Sequence, residues 1–502
     1  MRGAGKGPEM SSILTNTSAM VALQTLKSIN ADLSKTQNEI STGKAVATAK
    51  DNASVWAISK VMEADVKGFQ AISESLSLGQ STVAVAREAT ETITDLLTQI
   101  KGKIVAAQED NVDRGKIQTD IAALRDQINS VVNAAQFNGL NLLQGTEDVN
   151  VLASLDRASD GTVTASSITV QRHDLTTSAG TYGSGTSLSA NATVSAATVA
   201  NTANTVTLTV DADADVSADS FQVTIGGSTV SFAAGDITGD QDAAATAISA
   251  AINALGLEGI TASVSGADVT ISSTRAFEAV SVSALKNGAG AGMTLSASEI
   301  AERAENVTFS NSANVNEGDG YRVTIGSSAY TYVAGKNETF EDVARGLKAA
   351  IDAAGLDGIT TQVSRDNNGA WQLKVDNDGA SLAFAVTGAA GGQASGGLFG
   401  LGGIDVTSSS GAAAALSNIE TLIDKAIDAS AAFGSYQGRI ETQASFVGKL
   451  TDSLKAGIGS LVDADMEEAS ARLQALQVQQ QLGIQSLSIA NQAPQSILSL
   501  FR

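Results

Sequence analysis

The stretch from Ile72 to Ile104, ISESLSLGQSTVAVAREATETITDLLTQIKGKI, places Ile72, Leu76, Gly79, Val83, Ala86, Thr90, Ile93, Leu97, Ile100 and Ile104 at steps that alternate mostly between four and three. That is the 3.5-residue period that keeps one helical face against a partner along a coiled-coil seam. The chain has two prolines, Pro8 and Pro494, both near its ends. An interior proline would break the helical hydrogen-bond ladder, so nothing here stops a very long helix. The spacing predicts such a helix, amphipathic and in need of a partner to cover its stripe.

Working outward, the same pattern recurs towards both ends. Leu23, Leu26, Ile29, Leu33 and Ile40 form a stripe before a break at Thr42-Gly43. Ile117, Ile121, Leu124, Ile128 and Val131 form another, closed by the turn signal Phe137-Asn138-Gly139. Near the C-terminus, Leu416, Ile419, Ile423, Ile427, Ser430, Phe433, Gln437, Ile440, Ala444 and Val447 repeat the spacing. After a softer segment, Gly457 to Asp465, come Leu473, Leu476, Gln480, Ile484 and Leu487. Each stripe must be buried against something, and the economical partner for one end of the chain is the other.

Between them, residues 151–410 change composition to Thr, Ser, Val, Gly and Asp. Thr205-Val206-Thr207-Leu208-Thr209-Val210 alternates with period two, as a half-buried strand does. Phe221-Gln222-Val223-Thr224-Ile225-Gly226 recurs as Tyr321-Arg322-Val323-Thr324-Ile325-Gly326, 100 residues on. Each copy continues through a second strand, a helix (Ala243 to Leu255; Phe340 to Ala354) and a further strand. The middle therefore reads as two related α+β modules, at about 212–275 and 312–377.

Charge divides the chain in the same way. The formal net charge is −22, and residues 151–410 hold 27 acidic against 11 basic side chains. An acidic middle reads as the solvated part and the near-neutral flanks as the associating part. Nucleic-acid binding through phosphate neutralisation needs a basic surface, which is lacking. No apolar run reaches the ~18 residues a membrane span needs. The absence of cysteine removes disulfides, thiolate zinc sites and thiol catalysis. The start, MRGAGKGPEMSSILTNTSAM, has no continuous apolar core and makes a poor secretory signal.

Candidate chemistry is thin. One histidine, His173, precludes an HExxH zinc site, and without a nucleophile elbow it reads as a solvated loop residue. Asp211, Asp213, Asp215 and Asp219 have oxygen donors at short spacing but not the EF-hand glycine and terminal glutamate, so a solvated acidic loop is the reading. The glycine-rich run Gly391 to Gly403 lacks the Lys-Ser/Thr of a phosphate loop and reads as a flexible return segment. No catalytic residue, metal site or cofactor is expected.

Three segments carry a family resemblance. Ile40-Ser41-Thr42-Gly43-Lys44, running through Ala49-Lys50-Asp51-Asn52-Ala53 to Ala57-Ile58-Ser59, resembles the N-terminal signature of bacterial flagellins. Gln136-Phe137-Asn138-Gly139 resembles the turn that ends their N-terminal inner domain, and ANQAPQSILSLFR (490–502) resembles their C-terminus. The repeated unit resembles the hook-IN-type module inserted in many flagellins and hook-associated proteins. The hook–filament junction protein shares the two-ended helical plan, but the C-terminal segment favours flagellin.

The resemblance implies coiled-coil inner domains built from both chain ends, with α+β and β-rich outer domains inserted. Residues 10–50 and 461–502 would form the filament core, with Leu23, Leu26, Ile29, Leu33, Ile40, Leu473, Leu476, Ile484 and Leu487 as its seam. Residues 51–150 and 411–460 would form the shell, with Ile72, Leu76, Val83, Ile93, Leu97, Ile100, Ile423, Ile427, Ile440 and Val447 as its seam. Residues 1–9 are an extension without a family counterpart, and 151–410 would project outward. The implied partners are further copies of the chain, the flagellar export chaperone, the filament cap and the junction protein, after unfolded export through the flagellar type III apparatus. Flagellins seen by the innate receptor resemble Leu-Gln-Arg-Val-Arg-Glu-Leu-Ala where this chain has Leu97-Thr98-Gln99-Ile100-Lys101-Gly102-Lys103-Ile104, which implies weak or no recognition, as in the alphaproteobacterial branch.

Overall fold

A computed structural model describes residues 16–158, 162–287 and 292–500, with side chains described as far as 492. The extension at 1–9 and the start of the expected core segment lie outside the described residues. Three helices open the chain: α1 (Thr17–Thr42), α2 (Ala53–Ala106) and α3 (Arg114–Ala134). Two hairpins follow, β1 (Gln136–Phe137) with β2 (Leu140–Asn141), and β3 (Val149–Arg157) with β4 (Val163–Val170). The middle begins with β5 (Ala192–Val194), β6 (Thr198–Val199), β7 (Asn204–Val210), β8 (Ser220–Ile225), β9 (Ser228–Phe232) and α4 (Gln241–Ala254). It continues through β10 (Ile260–Ser265), β11 (Asp268–Ser273), β12 (Val280–Asn287), β13 (Met293–Leu295), β14 (Glu299–Ile300) and β15 (Glu305–Phe309). Then come β16 (Gly320–Ile325), β17 (Ser328–Val333), α5 (Phe340–Asp352), β18 (Ile359–Arg365), β19 (Trp371–Asn377) and β20 (Leu382–Ala389). Two helices close the chain, α6 (Ser409–Val462) and α7 (Met466–Leu500).

Helix ends follow local chemistry. Asn16 caps α1 by accepting from the Ala19 amide at 3.0 Å, and Gly43, at φ 70°, ends it in the left-handed region. The expected soft segment from 457 to 465 is narrower than its composition indicates. α6 runs on to Val462, because glycine weakens a helix interior by only ~1 kcal/mol each. Asp465 then caps α7 by accepting from the Glu467 amide at 2.9 Å.

The chain divides into two units. One takes residues up to Gln80, Asn150–Ile168 and from Gly438 onward; the other takes Ser81–Val149 and Thr169–Gln437. In the first unit α1 and α7 lie antiparallel, and the β3–β4 hairpin rests on α2. Val151 and Ala153 are buried there, Arg157 pairs with Asp65 at 2.5 Å, and Gln443 donates to the Ala153 carbonyl at 2.9 Å.

In the second unit, the latter part of α2, α3 and the first part of α6 each carry buried aliphatic side chains, and Lys103–Asp120 at 2.5 Å and Lys101–Glu420 at 2.6 Å tie α2 to the other two. The middle forms two modules of one design, each a helix and two four-stranded sheets. The first module has sheets β10-β11-β7-β13 and β14-β12-β8-β9, and the second has β18-β19-β15-β5 and β17-β16-β20-β6. The expected alternation in β7 holds, with Val206, Leu208 and Val210 buried. Each module is larger than the strand–strand–helix–strand unit read from the repeat: it adds interior strands outside 212–275 and 312–377, β7 and β12 in the first and β15 and β20 in the second, and edge strands of two or three residues that are too short to show a period.

Gly79 sits where the hairpin meets α2, and a Cβ there would lie 2.6 Å from Val151 Cγ1. Alanine normally stabilises a helix interior over glycine by up to ~1 kcal/mol. Here the contact reverses that sign, and Gly79→Ala is expected to cost about 1–3 kcal/mol through overpacking. Thermal unfolding checks this, with Gly79→Ala/Val151→Ala recovering part of the loss; a raised melting temperature for the single variant counts against the packing described.

Candidate assembly surfaces

The tail pair is held along its length by a few polar ties. Asn16 Nδ2 donates to the Ala490 carbonyl at 2.8 Å, and Gln480 Nε2 to Asn30 Oδ1 at 2.6 Å. The loop end is closed by the Ala464 amide on the Gly43 carbonyl at 3.0 Å and the Ala45 amide on the Val462 carbonyl at 2.8 Å. Between these ties, Gly483 lets α7 approach Leu26, whose Cδ1 would lie 3.2 Å from a Cβ there.

Burial within this pair is incomplete. Of the nine expected core-seam residues, Leu476 alone is buried, while Leu26, Ile29, Leu33, Ile40, Leu473 and Leu487 are half-buried. Leu23 and Ile484 remain 45% and 54% exposed. Met20, Val21, Val478, Leu482 and Ile489 are exposed as well, so apolar side chains emerge on more than one face of each helix.

The expected shell seam is far better covered. In the second unit Val83, Ile93, Leu97 and Ile100 are buried, as is Ile423; in the first, Ile72, Leu76, Ile440 and Val447 are buried. Ile427 departs from the expectation and is 48% exposed. The covered face of α6 runs instead through Leu422, Ala426, Ala429 and Phe433. Small alanines allow close helix approach there, and a reading that followed the large aliphatics drifted off the face. Thr90 is tolerated in this core because its hydroxyl donates to the Ala86 carbonyl at 2.7 Å.

A polar face joins α5 to α6, and the sequence reading missed it. Lys425 reaches Glu338 and Asp342, both at 2.6 Å. Arg345 donates to the Thr421 hydroxyl at 3.3 Å, and Lys348 to Asn418 at 2.8 Å and Asp352 at 2.6 Å. Burial alone would lower the Lys425 pKa, but the two carboxylates outweigh it and raise it. Burial would likewise raise Asp342, and Lys425 holds it below the usual carboxylate range. A signal was available in the repeat. Where the second copy has Glu338, Asp342, Arg345, Lys348 and Asp352, the first has Gly239, Ala243, Thr246, Ser249 and Asn253. Differences at steps of four and three mark one helical face that contacts something in only one copy.

The other singled-out residues are structural. His173 is not a solvated loop residue: its ring stands edge-on to Phe433 at 5.3 Å between centroids, and its Nε2 is buried without a hydrogen-bond partner. Asp213 and Asp219 are each 2.9 Å from the buried Lys286 Nζ, so those carboxylates neutralise a core lysine. The glycine run is an ordered strap rather than a flexible return. Thr181 and Gln393 exchange backbone hydrogen bonds of 2.9 Å, and a Cβ at Gly396 would lie 2.1 Å from the Thr176 carbonyl oxygen. Among the described residues, no three His, Asp or Glu side chains are grouped to hold a metal, and no helix is long and apolar enough to cross a membrane.

Known proteins resemble this chain in sequence. The family model described as the bacterial flagellin N-terminal helical region matches residues 13–148, and that of the bacterial flagellin C-terminal helical region matches 416–501. Flagellin D of Rhizobium meliloti (strain 1021) is 33% identical over 502 residues, covering 98% of this chain and all of that protein. Flagellin A of Rhizobium meliloti is 32% identical over 500 residues with the same coverage. Among solved structures, the flagellar hook associated protein-3 of Legionella pneumophila overlaps 80% of this chain and 98% of its own at 10% identity and a TM-score of 0.32, too loose a likeness to argue from.

The environment of His173 sets a pH dependence. Burial lowers its pKa from the ordinary 6.5, Asp428 pulling it up and Lys425 pushing it down. The unfolded chain therefore takes up a proton that the folded chain refuses. Its contribution to stability is complete above about pH 6.5 and declines as pH falls towards the lowered folded value. His173→Phe should lose less melting temperature than the parent between pH 7.5 and 5.5; equal losses would remove His173 as a source.

Proposed function

This chain belongs to the bacterial flagellin family, and from that premise we propose that its two tails are completed only by the tails of neighbouring copies. The protein is a structural subunit of the extracellular flagellar filament that serves motility, and it is not an enzyme. The observation that carries the proposal is the exposure of Met20, Val21, Leu23, Val478, Leu482, Ile484 and Ile489 on a two-helix pair.

Covering one such side chain is worth ~1.5–3 kcal/mol, while ordering each residue costs ~1–2 kcal/mol of backbone entropy. An isolated pair with so much apolar surface uncovered recovers little of that cost, and burial between copies adds to what it recovers. On this reading α1 and α7 are unfolded in the free subunit, travel unfolded through the type III apparatus and fold at the growing end. Residues 10–50 and 461–502 are assigned to the filament core, with 51–150 and 411–460 as the surrounding shell and 151–410 outermost. Contacts between copies that do not close on themselves generate a helical polymer. The export chaperone, filament cap and junction protein are the further partners assigned to it.

The receptor reading also belongs here. Lys101 pairs with Glu420 at 2.6 Å and Lys103 with Asp120 at 2.5 Å, while Leu97, Ile100 and Ile104 are buried. The face left at this position presents Thr98, Gln99 and Gly102, without the arginines and glutamate of recognised flagellins. A cell reporter of the innate flagellin receptor should give little or no response to the purified subunit, and a strong response would refute this.

The assembly proposal is tested by Ile484→Asp and Leu23→Asp. Both residues are largely exposed in the subunit, so the shell should melt as in the parent, while seeded filament growth should fall at least tenfold. Amide exchange in the free subunit should be fast at 17–42 and 466–500 and slow along α2. Normal growth of both variants, or slow exchange of the tails before assembly, would contradict it.

A further inference from the structure

The first module is a complete insertion within the second. Its sheets are built only from β7 to β14, and those of the second only from β5, β6 and β15 to β20. The buried cores divide in the same way: one draws on residues from Val206 to Ile300, the other on Ala192, Val199 and residues from Val307 to Phe384. Two short connectors join them, 200–203 between β6 and β7 and 301–304 between β14 and β15. Asn204 Nδ2 donates to the Ala301 and Glu302 carbonyls at 3.2 and 2.7 Å, which sets the connectors side by side. Domains without a large shared apolar core move relative to one another by default, so the bearing of the inserted module depends on what holds this joint.

The connector 301–304 is bonded on both sides. Its main chain is tied to the first module: the Arg303 amide donates to the Arg275 carbonyl and the Ala304 amide to the Ala276 carbonyl, both at 2.9 Å. Its side chains reach the second. Glu302 accepts from Lys374 Nζ at 2.7 Å. Arg303 Nε and Nη2 donate to the two oxygens of Asp376 at 2.8 and 2.7 Å, with Asp378 alongside. Lys374 and Asp376 lie two apart on β19, so they project from one face of the strand. The Arg303 and Asp376 side chains are 9% and 1% exposed, and a forked guanidinium–carboxylate contact fixes orientation as well as distance.

The repeat separates these charges from the needs of the fold. Ser272 pairs with Thr261 as Asp376 pairs with Thr360, and Thr270 pairs with Ser263 as Lys374 pairs with Gln362. So β11 has Thr270 and Ser272 where β19 has Lys374 and Asp376. The first module builds the same sheet without the charges, and the other connector, Ala200-Asn201-Thr202-Ala203, carries none. From this we infer that Glu302 and Arg303 form a two-pronged charge clamp on Lys374 and Asp376, and that this clamp fixes the bearing of the inserted module on the second. The clamp residues position the module and are not part of either core. Loss of a prong leaves its desolvated partner unpaired, which releases the joint without opening a cavity in either module.

The chain has no cysteine, so spin labels can be placed in the full chain at two chosen sites. Thr229→Cys on β9 and Ala329→Cys on β17 are exposed, one in each module. Dipolar spectroscopy between the labels should give one narrow distance distribution, and Glu302→Gln/Arg303→Met should at least double its width. A control pair within the first module, Thr229→Cys/Ser263→Cys, should keep its width in that variant. Glu302→Lys should also broaden the distribution between modules, and adding Lys374→Glu should restore it. Unchanged widths in the clamp variants, or a broad distribution in the parent, would overturn the inference. So would a control pair that broadens equally, since the module itself would then depend on the clamp. Broadening that the charge exchange fails to reverse would assign the bearing to packing and remove the clamp.

Discussion

Two helices lying side by side shield only the strip between them. α1 and α7 carry apolar side chains beyond that strip, and this excess is the constraint on which the behaviour of the subunit rests. The pair is registered by Asn16, Asn30 and Gln480 and closed at the loop by main-chain bonds. Registration alone does not desolvate Leu23 or Ile484. Aliphatic surface of this kind has no directional chemistry to satisfy, so any complementary apolar face will cover it. A second copy of the same pair offers such a face.

The helices of the second unit resolve the same constraint inside one chain. There α3 supplies a third helix, tied to α2 by Lys103 and Asp120, and its Ile121, Ile128 and Val132 are buried. Side chains such as Ile93, Leu97 and Ile100 therefore lose all contact with water. That third helix has 21 residues, and the α1–α7 pair has no counterpart to it among the described residues.

The middle is attached by different physics. The second module meets α6 through charges and amides, with Lys425 held between Glu338 and Asp342. Buried ion pairs add little net stability, since desolvation consumes most of the Coulomb gain, but removing one partner is costly. Such a joint fixes a geometry more than it strengthens a fold. The glycine strap at 391–403 acts in the same sense, since backbones that approach within the width of a methyl group leave one way to pack.

The sequence by itself determined where the long helices lie, that the middle is a duplicated α+β module, and which family the chain joins. Each of those is written in periods and motifs that persist along the chain, and the period of a helix face is a local property. Tertiary structure decided the rest. Ile427 fell outside the covered face because alanines, not the larger residues, line the closest approach. His173 became a packed residue because Phe433, 260 positions away in the chain, meets its ring. The pairing of β13 and β14 with β7 and β12, and of β5 and β6 with β15 and β20, could not be read locally, because strands of two or three residues are too short to show a period.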